Sequence, residues 1–186
     1  MGYAAGSKLH PTYYDMGDHA ECVEIDFDPK QLSYRQLLEK FFQWHNAFRK
    51  PYARQYMSAI LLHNQEQRRA VEMMIPKLED EKRKIRTEVA DYKGFTWAED
   101  YHQKYYLRRN REVVRELKEQ YPSLEEFVNS TAATKANAAL GGFWTPTSEA
   151  LAELGFSSHV SSQLLQRRKS FFGSLLSSVF PKAKTE

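Results

Sequence analysis

Residues 19–28 read HAECVEIDFD, and an extended backbone would place Glu21, Val23, Ile25 and Phe27 on one face and Cys22, Glu24, Asp26 and Asp28 on the other. The run stops at Asp28-Pro29, because proline has no N–H to give to a ladder. Ser33-Tyr34-Arg35-Gln36 then has the form of a capping box, opening a helix through about His45 with Leu37, Leu38, Phe41, Phe42 and Trp44 as its apolar stripe. A strand followed directly by an amphipathic helix is the first half of a βαβ unit and restricts the fold to sheet with helices packed on it.

The pattern continues in the same sense. Residues 46–55, NAFRKPYARQ, are a basic loop, and Tyr56 to Leu62 read as a second strand with Tyr56, Ser58, Ile60 and Leu62 on one face. A polar helix is expected from about Gln65 to Arg83, kinked or divided at Pro76. Lys84 to Tyr92 alternates as a third strand, and Trp97 to about Arg109 has a helical, aromatic pattern. The expected fold is α+β, a ferredoxin-like sandwich with a mixed sheet, over residues 1–110. A helical extension follows: appended helices over 111–142, with a second capping box at Ser123-Leu124-Glu125-Glu126 and closure at Gly141-Gly142, then a linker and basic amphipathic tail over 143–186. In that tail Val160, Leu164, Phe171, Leu175 and Val179 recur at helical spacing beside Arg167, Arg168, Lys169, Lys182 and Lys184.

With 186 residues and 41% apolar content the chain can bury a core. One cysteine excludes an internal disulfide framework. No apolar run approaches the ~20 residues of a membrane span, and the polar start does not read as a signal peptide, so a cytoplasmic location is expected and a membrane is not. A net charge of +3, with mixed signs along most of the chain, gives no footprint for nucleic acid. The six histidines show no metal-type pairing at close spacing, and no metal or cofactor is expected. The eleven tyrosines read as packing or interface residues.

A carboxyl group on the dry face of a strand resists ionisation, because desolvation disfavours the charged form, and can then donate a proton. The residues leave two readings of Glu21 open: such an acid, or a structural carboxylate paired with a cation or set at a wet sheet edge. For Cys22, the surrounding Glu21, Glu24 and Asp26 would raise its pKa and suppress the thiolate, so it reads as structural or incidental, pointing away from any chemistry.

Five stretches in order, GYAAG at 2–6, PTY at 11–13, HAECVEIDFDP at 19–29, QYMSAI at 55–60 and AEDYHQKYY at 98–106, make the chain resemble the A-type peptide-methionine sulfoxide reductases. The resemblance covers roughly the first 110 residues. It implies an α+β sandwich and reduction of the S epimer of methionine sulfoxide, free or in oxidised proteins, with thioredoxin or another dithiol as reductant. It implies that Glu21 protonates the sulfoxide oxygen while Tyr13 and Tyr56 hydrogen-bond it, and that a cysteine or selenocysteine attacks the sulfur.

In that family the nucleophile sits in a Gly-Cys-Phe-Trp stretch upstream of the motif that GYAAG matches, and residue 1 stands at that motif. Pro51 stands near a usual aspartate, Met57 replaces an arginine, and there is no C-terminal resolving cysteine. Two expectations follow. Either a start displaced past a selenocysteine codon leaves the sequence short of an active reductase, or a short isoform without turnover serves as a binding or regulatory module.

Overall fold

The structure, a computed structural model, describes residues 1–166. The chain divides into two compact units, Met1–Glu99 and the residues from Asp100 on.

In the first unit, strand β1 (Gly2–Ala4) lies between β2 (Ala20–Cys22) and β5 (Phe95–Trp97), antiparallel to both, with Tyr3 opposite Glu21 and Thr96. Helix α1 (Tyr34–Trp44) starts at the expected capping box, Ser33 and Gln36 each bonding the other's backbone. Strand β3 (Ala59–Leu62) pairs in parallel with β4 (Glu88–Asp91), and helix α2 (Gln65–Leu78), capped by Asn64, crosses between them. Leu38 of α1, Ile60 and Leu62 of β3 and Val71 of α2 form one buried cluster, and Tyr3, Met16 and Ala98 form another. Parallel and antiparallel pairings with helices packed on them make an α+β fold.

The second unit is helical. Helices α3 (Arg111–Gln120), α4 (Leu124–Asn129), α5 (Thr131–Leu140) and α6 (Ser148–Glu153) surround Leu107, Val113, Leu117, Phe127, Ala133, Leu151 and Leu164. The Ser123–Glu126 capping box opens α4, and Gly141 caps α5. The linker expected from residue 143 already contains the start of α6, whose N-cap is Thr147. Val160 and Leu164 are buried in this core, while Phe171, Leu175, Val179 and the basic residues from Arg167 on lie outside the described residues.

Three local expectations change. The run 19–28 pairs only over Ala20–Cys22: the ladder ends at the Gly2–Cys22 pair, and without a partner an alternating sequence has nothing to alternate against, so Val23 and Ile25 are 69% and 57% exposed. The helix from Gln65 stops at Leu78, two residues beyond Pro76, and Asp80 then caps a tight turn through the backbone N–H groups of Lys82 and Arg83. The aromatic stretch from Trp97 is strand to Trp97 and then two short 3₁₀ turns, Asp100–His102 and Leu107–Arg109.

The GYAAG turn is tightly constrained. A Cβ on Gly2 would lie 2.3 Å from the Thr96 carbonyl oxygen, and one on Gly6 would lie 2.6 Å from the His19 ring. The loop that follows is fastened by Asp18, whose carboxylate accepts from the backbone N–H of Ser7 at 2.7 Å and from the Ser7 hydroxyl at 3.1 Å. Those donors hold the Asp18 pKa down to about 2. Ala5 adopts φ 64°, the left-handed region that disfavours any residue with a Cβ. Ala5→Gly is therefore expected to stabilise the first unit by about 0.5–1 kcal/mol, the relieved strain less the entropy that glycine adds to the unfolded chain. A rise in the urea midpoint at constant slope would show this; an unchanged or lower midpoint would contradict it.

Candidate active site

Because directly opposed residues of an antiparallel pair share a face, Glu21 lies on the side of the sheet that holds Tyr3, which is 2% exposed. Glu21 is half-buried there, beside an aromatic residue and not among Val23, Ile25 and Phe27. Its Oε1 accepts a hydrogen bond from Gln55 Nε2 at 3.3 Å.

Gln55 belongs to a 3₁₀ turn, Arg54–Tyr56, that packs against β2 where a strand from Tyr56 was expected. The turn is placed by Arg54. Its Nε donates to the Asp18 carbonyl and its Nη2 to the Ala5 carbonyl, both at 3.1 Å, while Nη1 pairs with Glu88 Oε2 at 2.7 Å. One planar fork thus joins the end of β1, the approach to β2 and the start of β4. Tyr56 follows directly and is 55% exposed.

Tyr13 reaches the same sheet by another route. Its backbone N–H donates to Glu99 Oε1 at 2.9 Å, and Glu99 Oε2 accepts from the Tyr3 hydroxyl at 2.6 Å. The Tyr13 ring is 39% exposed and meets Tyr14 edge-to-face at 5.4 Å. Glu21 and Tyr56 are thus linked through Gln55, and Tyr13 is linked through Glu99 to Tyr3, the residue opposite Glu21. Arg54, Gln55 and Glu99 escaped the sequence reading. The last two stand in the QYMSAI and AEDYHQKYY stretches, but only their long-range bonds reveal what they do.

Tyr56 opens onto a cleft of about 510 Å³ whose lining includes Cys22, His45, Ser58, Arg49 and Lys50. His45 sits at the end of α1, where its Nδ1 donates to the Phe41 carbonyl at 2.5 Å. In the neutral ring Nε2 then accepts from the Ser58 hydroxyl at 2.7 Å, and Ser58 meets Thr87 at 2.7 Å, tying the helix end to β3 and β4. Cys22 is not turned away, as its sequence context suggested, but lines this cleft. Its thiol is pushed up chiefly by burial, with Glu21 adding to the effect and the Ala4 backbone and Arg54 opposing it. The acidic neighbours that were expected to dominate are secondary because Glu21 faces the other side of the sheet and residues beyond Cys22 leave it.

A profile of the family described as peptide methionine sulfoxide reductase matches residues 1–136. A peptide methionine sulfoxide reductase of Drosophila melanogaster is 40% identical over 147 residues, covering 76% of this chain and 58% of the relative. The MsrA of Acinetobacter baumannii strain AYE is 45% identical over 114 residues, 56% of this chain and 66% of that protein. The peptide methionine sulfoxide reductase A5 of Oryza sativa subsp. japonica is 33% identical over 157 residues, 80% and 61% respectively. The chain spans about three fifths of the length of the curated relatives it matches.

Two outcomes test this geometry. Arg54→Met removes three donors at a partly exposed position and is expected to cost about 2 kcal/mol, whereas Arg54→Lys should recover less than half, since one ammonium cannot span three separated acceptors. Equal urea midpoints for wild type and Arg54→Met would refute the hub. For Cys22, a raised pKa leaves less thiolate at a given pH, so alkylation by iodoacetamide should reach half-maximal rate at a higher pH in the folded chain than in urea. Coincident pH profiles would show that burial does not control this thiol.

Proposed function

Because the chain belongs to the peptide methionine sulfoxide reductase family, we propose that it takes part in thiol-dependent reduction of methionine S-sulfoxide in oxidised proteins. In this reading Glu21 protonates the sulfoxide oxygen, and the hydroxyls of Tyr13 and Tyr56 donate hydrogen bonds to it. Protonation makes the substrate sulfur electrophilic. A thiol or selenol then attacks that sulfur, the oxygen passes to the attacking atom as a sulfenic or selenenic acid, and methionine leaves. Two electrons and two protons from a dithiol, thioredoxin in the proposed setting, return the nucleophile and release water. The scheme calls for no bound cofactor or metal. The nucleophile would come from the Gly-Cys-Phe-Trp stretch that the family places ahead of the GYAAG motif, outside these residues. The proposed location is cytoplasmic; among the described residues no helix is long and apolar enough to cross a membrane.

The observation that carries this reading is the Gln55–Glu21 bond, which joins the HAE and QY stretches 34 residues apart and sets the acid beside the turn that holds Tyr56. Cys22 is the wrong group for the attack, since burial works against its thiolate. The test is reduction of a dabsylated methionine S-sulfoxide with dithiothreitol, using the chain extended at its N-terminus by a Gly-Cys-Phe-Trp segment. Glu21→Gln keeps the shape but cannot give up a proton, so the rate should fall about 100-fold or more. An undiminished rate would remove Glu21 from the proton-donor role.

A further inference from the structure

His45, the residue that closes α1, has both ring nitrogens engaged, and the partners decide which one carries the proton. The Phe41 carbonyl can only accept, so its bond at 2.5 Å puts the proton on Nδ1 and leaves Nε2 of the neutral ring with a lone pair. Nε2 lies 2.7 Å from the Ser58 hydroxyl oxygen, and Ser58 must therefore donate to it. With that proton committed, the 2.7 Å contact between Ser58 and Thr87 is made by the Thr87 hydroxyl donating to Ser58 Oγ. The sequence of bonds thus has one direction: a fixed acceptor orients the ring, and the free ring nitrogen faces a serine proton. An orienting group, a base and a hydroxyl in that relation are what activates a serine as a nucleophile. His45 and Ser58 are both half-buried and both line the cleft of about 510 Å³, so a bound molecule can meet them. Asn46, whose side-chain carbonyl already accepts from the Phe48 N–H, turns its amide N–H groups to other uses in the same lining, and Arg49 and Tyr52 add further donors.

We propose that Ser58 and His45 form a nucleophile–base dyad that gives this chain a hydrolytic activity on small carboxylic esters, beside the proposed sulfoxide reduction and independent of it. Ser58 Oγ attacks the ester carbonyl carbon while its proton passes to His45 Nε2, and the oxyanion of the tetrahedral adduct meets the N–H and O–H donors of the lining. Collapse of the adduct breaks the bond to the alkoxide, which leaves with the proton held on Nε2. Water then attacks the acyl group on Ser58 through the same base, and the carboxylic acid departs with the serine restored. Ester and water give acid and alcohol, with no change of oxidation state and no further reactant. The orienting group is a neutral carbonyl and not a carboxylate, so it fixes the ring but stabilises the imidazolium less, and the reactivity expected is toward activated esters. Cys22 shares the lining, but burial works against its thiolate.

The test uses the 186-residue chain and a biotinylated fluorophosphonate, on which an activated serine forms an O–P bond while fluoride leaves and the serine proton goes to the base. Mass spectrometry of tryptic peptides should find the adduct on Ser58 of the folded chain and not of the chain in urea. The labelled chain should also lose its hydrolysis of 4-nitrophenyl acetate. His45→Gln keeps an amide that can bond Ser58 but takes up no proton, and should slow labelling about 100-fold or more. Because the adduct is read on the wild-type chain, the outcome does not depend on whether that variant folds. Ser58 unlabelled in the folded chain, labelled equally in urea, or labelled as fast in a folded His45→Gln chain would overturn the proposal and leave the two residues as a structural tie. Ester hydrolysis that survives complete labelling of Ser58 would overturn it as well. None of these outcomes touches the reductase reading, which uses Glu21, Tyr13 and Tyr56.

Discussion

Arg54 places one guanidinium group between the carbonyls of Ala5 and Asp18 and the carboxylate of Glu88, and the geometry of the first unit depends on that fork. The two buried clusters of this unit are small, four residues around Leu38 and three around Tyr3, against twelve among the described residues of the helical unit. A small core leaves relative strand positions weakly determined by packing, because apolar contacts are non-directional. Directional bonds supply what packing lacks. The fork joins the three-stranded sheet to the start of β4, and the turn it holds delivers Gln55 to Glu21.

The parts of the fold that could be read from sequence are those that close locally. Both capping boxes are four-residue signals, and both open helices where expected, because the donor and acceptor that define them lie three residues apart. The strands were less legible. β1 and β5 are three residues each, and what makes them strands is their pairing across more than ninety residues of chain, which no local period records. The run from His19 shows the converse: its alternation extends over ten residues, but a strand is only as long as its partner, and three pairs exist. From Trp97 on, the aromatic periodicity was read as helix although Phe95–Trp97 completes the sheet.

The candidate site divides in the same way. Glu21, Tyr13 and Tyr56 stood out because the stretches around them match a family, while Arg54, Gln55 and Glu99, which hold those stretches in place, carry no local signature. The error over Cys22 has a physical origin. Strand alternation correctly set it opposite Glu21, but which face meets solvent is decided by tertiary neighbours, here the end of α1 and the loop to Tyr56. The expected direction of the thiol's pKa, upward, is the one found, with burial and not acidic company as its main cause.

Ala5 shows what the hub holds in place. Its left-handed backbone, φ 64°, ends β1, and its carbonyl accepts from Arg54. A non-glycine residue persists in such a conformation only when its surroundings over-determine it. Here the constraints on either side are explicit: Gly2 is pinned under Phe95 and Thr96, Gly6 is packed against His19, and Asp18 gathers the next backbone N–H groups. Relieving the strain without the fork would leave the turn free to choose another conformation, and the Ala5 carbonyl would no longer be presented to the residue that orders the Tyr56 turn. Strain at Ala5 and the bonds of Arg54 are therefore two sides of one constraint, and it is this constraint that brings the HAE and QY stretches together.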